Sequence, residues 1–185
     1  FIPAQDEVIS YVDAAYSSGI VAGKDALYVL FRKVGNMGIY KIDYQSKEIS
    51  KVNLNGTGSI ADLTLKGDND LVCAQFSAIR SMQYMFYQYD QDTAAPLPFS
   101  KVSLDLSNDF VTEVIEVPAR DGKKIPVSMV YKVGLALKNN NALYIEAYGN
   151  SGAVTDLGLD PNKLPWINRD GIYAFAHVRG GGEMG

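Results

Sequence analysis

Residues 169–185 read RDGIYAFAHVRGGGEMG, and this stretch decides the fold of the second half of the chain. Its centre, residues 172–178, is almost entirely apolar, which is typical of a strand buried on both faces, as in a parallel sheet covered by helices. Upstream, Ala142–Ala147 predicts another strand. Asp160–Arg169 predicts a helix because it begins with Asp-Pro, an N-cap residue followed by proline at the first helical position. We therefore expect a strand–loop–helix–strand unit of an α/β fold.

A β-hairpin is predicted before this unit. Phe110–Pro118 and Ile125–Lys132 are strand-like, and Arg120–Lys123 joins them with Asp-Gly, a strong signal for a hairpin turn. The pattern changes near residue 105, so we expect one domain at residues 1–105 and a second at residues 106–185.

The first domain shows strand signals that repeat. Gly23-Lys-Asp-Ala-Leu aligns with Gly67-Asp-Asn-Asp-Leu, and residues 40–43 align with residues 87–90, so the repeat is 44 to 47 residues long. A repeat of about 40 to 50 residues with about four short strands is typical of β-propeller blades. Two units cannot close a ring of about four to eight blades, so we expect the last blades of a propeller, with no helix longer than two turns. The alternative is two unrelated pairs of hairpins that share their turn residues.

Composition excludes several classes of function. The chain has 17 basic and 21 acidic side chains and a net charge of −4, which argues against nucleic-acid and membrane partners because both require a basic patch. The longest apolar stretch, Ala26–Phe31, is far shorter than the roughly 20 residues that span a bilayer. The single cysteine, Cys73, excludes an internal disulfide, and the single histidine, His177, excludes a site that needs two histidines. We expect no metal and no cofactor, and a soluble protein of the cytoplasm or periplasm.

The glycine run opens a nucleotide-binding alternative. Gly180–Gly185 has the spacing G-x-G-x-x-G after a strand, as in dinucleotide-binding enzymes. That function requires the glycines to open a helix whose N-terminus holds a pyrophosphate. Glu183 would repel such a ligand, and together with Arg179 it fits a salt-bridged loop better.

Other candidate residues have structural interpretations. Ser151 lies near glycines but outside the G-x-S-x-G elbow that presents a nucleophile. His177, near the end of an apolar strand, is expected to be a buried structural histidine rather than a base. Asp68 and Asp70 lie at a predicted turn, where Asp commonly caps the local backbone.

Three motifs follow one another in the second half of the chain: RDGKKIPV at residues 120–127, YIEAYG at residues 144–149, and the stretch at residues 169–185. Together they resemble the prolyl oligopeptidase family of serine peptidases. That family has a D-G-x-x-I-P-type hairpin, a Y-G loop after the next strand and an R-G-G-G-E-x-G loop after the following strand. The resemblance is clear over residues 108–185. The first half matches in architecture alone, since the family carries a seven-bladed propeller before its catalytic domain.

The resemblance implies a mixed fold, in which antiparallel β-propeller blades precede the N-terminal part of an α/β-hydrolase domain, truncated before the nucleophile. It implies a serine-type oligopeptidase, similar to prolyl endopeptidase or oligopeptidase B, whose propeller admits only short peptides to a Ser-Asp-His triad. The nucleophile, acid and base of the family lie downstream of these motifs, so the chain alone is expected to be inactive.

The resemblance also assigns site residues. Tyr148 matches the tyrosine whose hydroxyl helps to form the oxyanion hole. A loop near the active site is matched by Arg179, Gly180, Gly181, Gly182 and Glu183. Asn150 and Ser151 stand where many members have an aromatic residue, which changes the shape expected for the neighbouring substrate pocket.

Two further expectations concern the chain as a whole. It begins without Met and ends after a strand-like run, so we expect an internal piece of a longer protein. Made alone, it would expose unpaired strand edges, Ile172–Val178 among them, and we expect it to self-associate. The alternative to a part of an enzyme is a non-catalytic, propeller-type interaction module.

Overall fold

The computed structural model describes residues 8–9, 19–34 and 36–183. Most of the first 18 residues, expected to be part of the all-β domain, lie outside the described residues. So do Met184 and Gly185, the end of the glycine motif. Within the described residues, no helix is long and apolar enough to cross a membrane.

The chain divides into two compact units. Unit 1 comprises residues 1–76 and 82–103, and unit 2 comprises residues 77–81 and 104–185. Among the described residues, unit 1 contains two sheets and unit 2 contains one.

The first sheet of unit 1 is antiparallel and has five strands: β1 (Val8–Ile9), β2 (Ile20–Ala22), β3 (Ala26–Lys33), β4 (Asn36–Asp43) and β5 (Ile49–Lys51). Both β1 and β2 pair with β3, which continues to β4 and β5. Aromatic and β-branched residues favour strands here, and most of β3 is buried.

The second sheet is a meander of four strands: β6 (Ser59–Lys66), β7 (Asp70–Ser77), β8 (Arg80–Gln88) and β9 (Thr93–Pro96). Strands β3 and β7 begin 44 residues apart, so the repeated segments start equivalent strands of the two sheets. No helix occurs in the described part of residues 19–105. The expectation of short antiparallel strands without a long helix is therefore confirmed for these residues.

The core of unit 1 lies between its two sheets. Tyr28 from β3 and Tyr87 from β8 are fully buried, with their ring centroids 6.3 Å apart in an edge-to-face arrangement. The Tyr28 hydroxyl donates to the backbone oxygen of Asn69 at 2.6 Å, which satisfies its polar end. Cys73 lies in the same core, and burial raises the pKa of its thiol to about 12. This thiol is therefore protonated at neutral pH and packs as a small apolar group.

The sheet of unit 2 has the order β10-β11-β13-β12, formed by β10 (Phe110–Pro118), β11 (Lys124–Lys132), β12 (Leu143–Ala147) and β13 (Ile172–Ala176). The predicted hairpin is confirmed as the antiparallel pair β10/β11. Strand β13 pairs antiparallel with β11 and parallel with β12. All five residues of β13 are buried, as predicted. The expectation that Ile172–Val178 forms an exposed edge is wrong, because β11 and β12 flank β13 and the edge strands are β10 and β12.

The predicted helix is present but short. A 3₁₀ turn, Pro161–Lys163, leads into α1, Leu164–Ile167. Asp160 caps the turn as expected, since its side chain accepts a hydrogen bond from Asn162 N at 2.9 Å. The helix ends before Arg169, and Asp170 has a φ of +61°, outside the helical region.

A polar cluster joins this helical segment to the sheet. The Glu146 carboxylate accepts hydrogen bonds from Lys163 Nζ at 2.6 Å, from Tyr144 Oη at 2.6 Å and from Tyr173 Oη at 2.8 Å. Lys163 also lies over the rings of Tyr144 and Tyr173. The Lys163 hydrogen bond, followed by those of the two tyrosines, lowers the pKa of Glu146 to about 2. The cluster therefore favours the ionised carboxylate and the folded state together.

We expect Glu146→Gln to destabilise the protein at pH 7 by about 1 kcal/mol, after allowance for the solvent that reaches this carboxylate. The folded-state pKa lies below the unfolded value of about 4.3, so the stabilisation is complete above pH 4.3 and is lost towards pH 2. Thermal unfolding at pH 7 and pH 3 should show a smaller difference from wild type at pH 3. Glu116→Gln, which breaks the exposed Lys124–Glu116 pair, serves as the control with little effect at either pH. An equal loss at both pH values for Glu146→Gln would contradict the assignment.

Candidate functional site

Two loops meet at one edge of the unit 2 sheet. Strands β12 and β13 are parallel and end together, with Ala147 opposite Ala176. The segment that follows β12, residues 148–155, is called the tyrosine loop here, and the segment that follows β13, residues 177–183, is called the glycine loop. Because the carboxyl ends of parallel strands are where open α/β sheets place their ligands, this edge is the candidate site.

Close backbone contact between the two loops requires glycine. Gly149 has a φ of +60° and Gly180 a φ of +100°, both in the region that L residues avoid. A Cβ on Gly180 would lie closer than 3.0 Å to the backbone oxygen of Gly149. Gly182 N donates to Ala153 O at 3.0 Å, which adds a direct hydrogen bond between the loops. The glycines thus allow the backbones of the two loops to pack closely against each other.

A buried hydrogen-bonded network lies beneath these loops. His177 Nδ1 donates to Glu183 Oε2 at 3.0 Å, and His177 Nε2 shares a hydrogen bond of 2.8 Å with Ser128 Oγ. The second carboxylate oxygen, Glu183 Oε1, accepts from Thr155 N at 2.9 Å. His177 and Ser128 are each 2% exposed and Glu183 is 6% exposed. The network therefore links β11 to the glycine loop and the tyrosine loop.

Ser128, His177 and Glu183 are connected in the order of a serine–histidine–acid triad, but their placement does not suit nucleophilic catalysis. Ser128 lies within β11, paired with Phe175, and its hydroxyl is buried rather than presented on a turn. A substrate carbonyl has no approach to it. The expectation that His177 is buried is confirmed, while its partner Ser128 was not identified from the sequence. Ser151, the serine considered there, has no hydrogen bond to His177 among the described residues.

Tyr148 is an exposed residue of the tyrosine loop. It is the first residue after β12, and 61% of it is open to solvent. Its hydroxyl forms no hydrogen bond within the described residues. A donor without a partner at this edge of the sheet is free to bind an oxygen atom of a ligand.

Arg179 and Glu183 do not pair with each other, contrary to the expected salt bridge within the glycine loop. Arg179 forms an ion pair with Asp121 in the turn of the β10/β11 hairpin, and its hydrogen bond lowers the pKa of Asp121. Glu183 instead pairs with His177 in the interior.

The geometry does not favour the nucleotide-binding alternative. The described part of the motif, Gly180 to Glu183, is not helical, and its end lies outside the described residues. The Glu183 carboxylate, an anion within the motif, is buried and hydrogen-bonded to His177. No group of three or more His, Cys, Asp or Glu that could hold a metal occurs among the described residues.

Comparison with known proteins relates the chain to peptidases. No protein-family model matches it. It is 41% identical over 80 residues to dipeptidyl aminopeptidase BI of Pseudoxanthomonas mexicana. This match covers 43% of this chain and 11% of that protein. It is 26% identical over 184 residues to the prolyl endopeptidase of Dictyostelium discoideum, which covers 97% of this chain and 24% of that protein.

A similar fold occurs in solved structures. Prolyl oligopeptidase B from Galerina marginata superposes with a TM-score of 0.83 at 18% identity, over 100% of this chain and 26% of that chain. The chain thus spans a quarter or less of the length of the two curated relatives. By sequence the chain is similar to proteins named dipeptidyl aminopeptidase and prolyl endopeptidase, and it shares the fold of that solved structure over its own length.

Proposed function

We propose that these 185 residues are part of a longer serine-type oligopeptidase that hydrolyses short peptides, and that Tyr148 supplies a donor of its oxyanion hole. The observation that carries the proposal is the position of Tyr148, a mostly exposed residue at the carboxyl end of the β12/β13 pair whose hydroxyl has no hydrogen bond among the described residues. The identity to peptidases supports it, and so does the small share of each relative that the chain covers. The nucleophile, acid and base would come from other parts of the protein.

The proposed chemistry is stabilisation of the tetrahedral intermediate. In α/β-hydrolases the oxyanion receives one hydrogen bond from the backbone N–H after the nucleophile and another from a loop that follows a strand of the sheet. Tyr148 is placed on such a loop. A phenolic hydroxyl about 2.7–3.1 Å from the forming oxyanion stabilises the transition state, and removal of one such donor typically costs about 10²–10³ in rate.

The domain assignment is part of the same proposal. Residues 1–105 would be the last blades of a β-propeller, and residues 106–185 the start of an α/β-hydrolase domain. The matching strand order of the two sheets supports the blades. So do their adjoining equivalent corners, where Lys24 N donates to Asp68 O at 2.9 Å. For the second domain, the parallel β12/β13 pair with its connecting helix is the supporting feature.

The test is hydrolysis by the full-length protein that contains this chain. We expect turnover of chromogenic short peptides with proline or arginine before the scissile bond, and inactivation by a serine-directed phosphonate. The 185-residue chain alone is the control. It should show no turnover, and light scattering should show self-association, because Leu143 and Ile145 on the edge strand β12 are half exposed. A full-length protein that neither cleaves these peptides nor reacts with the phosphonate would contradict the proposal, and so would turnover by the chain alone that is lost in His177→Ala.

A further inference from the structure

The position of the Tyr148 side chain depends on the backbone that carries it. The side chain is mostly exposed, and its hydroxyl has no partner among the described residues. No hydrogen bond within the described part of the chain fixes the hydroxyl, so its position depends on the conformation of the tyrosine loop. Whatever holds that loop also holds the tyrosine.

The tyrosine loop is held at both ends by the residues after β13. At its start, Gly149 packs against Val178 and against the backbone of Arg179, with no room for a Cβ. At its far end, Thr155 N donates to the Glu183 carboxylate at 2.9 Å. The loop is thus fixed to the glycine loop at its first and last turns.

Glu183 in turn is fixed by His177. The carboxylate is 6% exposed and uses one oxygen for Thr155 N and the other for His177 Nδ1 at 3.0 Å. The imidazole is held by Ser128 Oγ on β11, on the side away from Glu183. Removing the carboxylate would take the acceptor from the buried His177 ring and from the half-buried Thr155 N–H, so this geometry resists change.

We propose that Glu183, oriented by His177 and Ser128, is a positioning residue that sets the place of the Tyr148 hydroxyl through the tyrosine loop. This proposal rests on the oxyanion role proposed for Tyr148. Glu183 itself touches no substrate and transfers no proton. Its contribution to the rate is the alignment of a donor, because a displacement of about 1 Å in such a group can lower the rate about 10²-fold.

The experiment is a double-mutant cycle in the full-length protein, with kcat and KM measured on one chromogenic peptide. The variants are Glu183→Ala, Tyr148→Phe and the double variant. We expect Glu183→Ala to lower kcat about 10-fold with KM nearly unchanged, since the loss arises in the transition state. In the Tyr148→Phe background the same substitution should cost less than about 2-fold, because the hydroxyl that it misplaces is absent.

A matched control and a milder variant complete the design. Glu116→Ala removes an exposed acid of β10 that pairs with Lys124, and it should leave kcat unchanged in both backgrounds. If Glu183→Ala does not fold by circular dichroism, Glu183→Gln takes its place under the same criterion.

The outcomes separate the two proposals. Equal losses from Glu183→Ala with and without the Tyr148 hydroxyl would overturn the positioning role while leaving the oxyanion role intact. An unchanged kcat in Glu183→Ala would do the same. An unchanged kcat in Tyr148→Phe would overturn the oxyanion role itself.

Discussion

Gly180→Ala is expected to reduce kcat/KM of the full-length protein by about 10²-fold or more. The added Cβ would overlap the backbone oxygen of Gly149, and the φ of +100° would add strain. Because the overlapped Gly149 oxygen is a backbone atom, the clash cannot be relieved by turning a side chain, and the backbone of the tyrosine loop must shift. Gly149 directly follows Tyr148, and the shift would therefore carry the oxyanion donor out of place.

Gly134→Ala separates the steric effect from the conformational one. Gly134 has a φ of +79°, close to that of Gly180, but a Cβ there would meet nothing within 4 Å. We expect this variant to lose about 1 kcal/mol of stability and to keep its activity. Steady-state kinetics and thermal melts on both variants provide the comparison. If the two glycine variants show the same activity, the packing of the two loops does not position the catalytic donor.

Much of the local structure of unit 2 could be predicted from the sequence. Asp-Gly between two strand-like runs predicted the β10/β11 hairpin, and Asp160-Pro161 predicted the start of the helix. The nearly apolar run at residues 172–178 predicted a buried strand, which the structure has at Ile172–Ala176. Each of these features depends on residues that are neighbours along the chain, which is why pattern and turn chemistry were sufficient.

The order of the strands could not be predicted in the same way. Local pattern does not show that β13 lies between β11 and β12, and for this reason the expected exposed edge at Ile172–Val178 was wrong. The same pairing brings Ser128 to His177, 49 residues apart. A signal was present, because Ser128 is a polar residue within an apolar stretch of β11 and His177 directly follows the apolar strand β13. Only the pairing of β11 with β13 brings the two together.

Tyr148→Phe is expected to lower kcat of the full-length protein by about 10-fold to 10³-fold. The substitution removes only the hydroxyl, and the hydrogen bond proposed for it would matter mainly when charge develops on the carbonyl oxygen of the substrate. KM should change little, since ground-state binding hardly uses this contact. The backbone N–H of the proposed oxyanion hole would remain, so residual activity is expected.

The thermal stability of Tyr148→Phe distinguishes the proposed catalytic role of the hydroxyl from a purely structural one. The hydroxyl is exposed and has no partner among the described residues, so its removal should leave the melting temperature unchanged. A hydroxyl that contributed to packing would instead cost roughly 1 kcal/mol of stability on removal.

The most direct test of the account is therefore kcat for Tyr148→Phe in the full-length protein, measured with a thermal melt on the same preparation. The account predicts a kcat lowered at least about 10-fold at an unchanged melting temperature. An unchanged kcat in a variant that melts as the wild type does would contradict it.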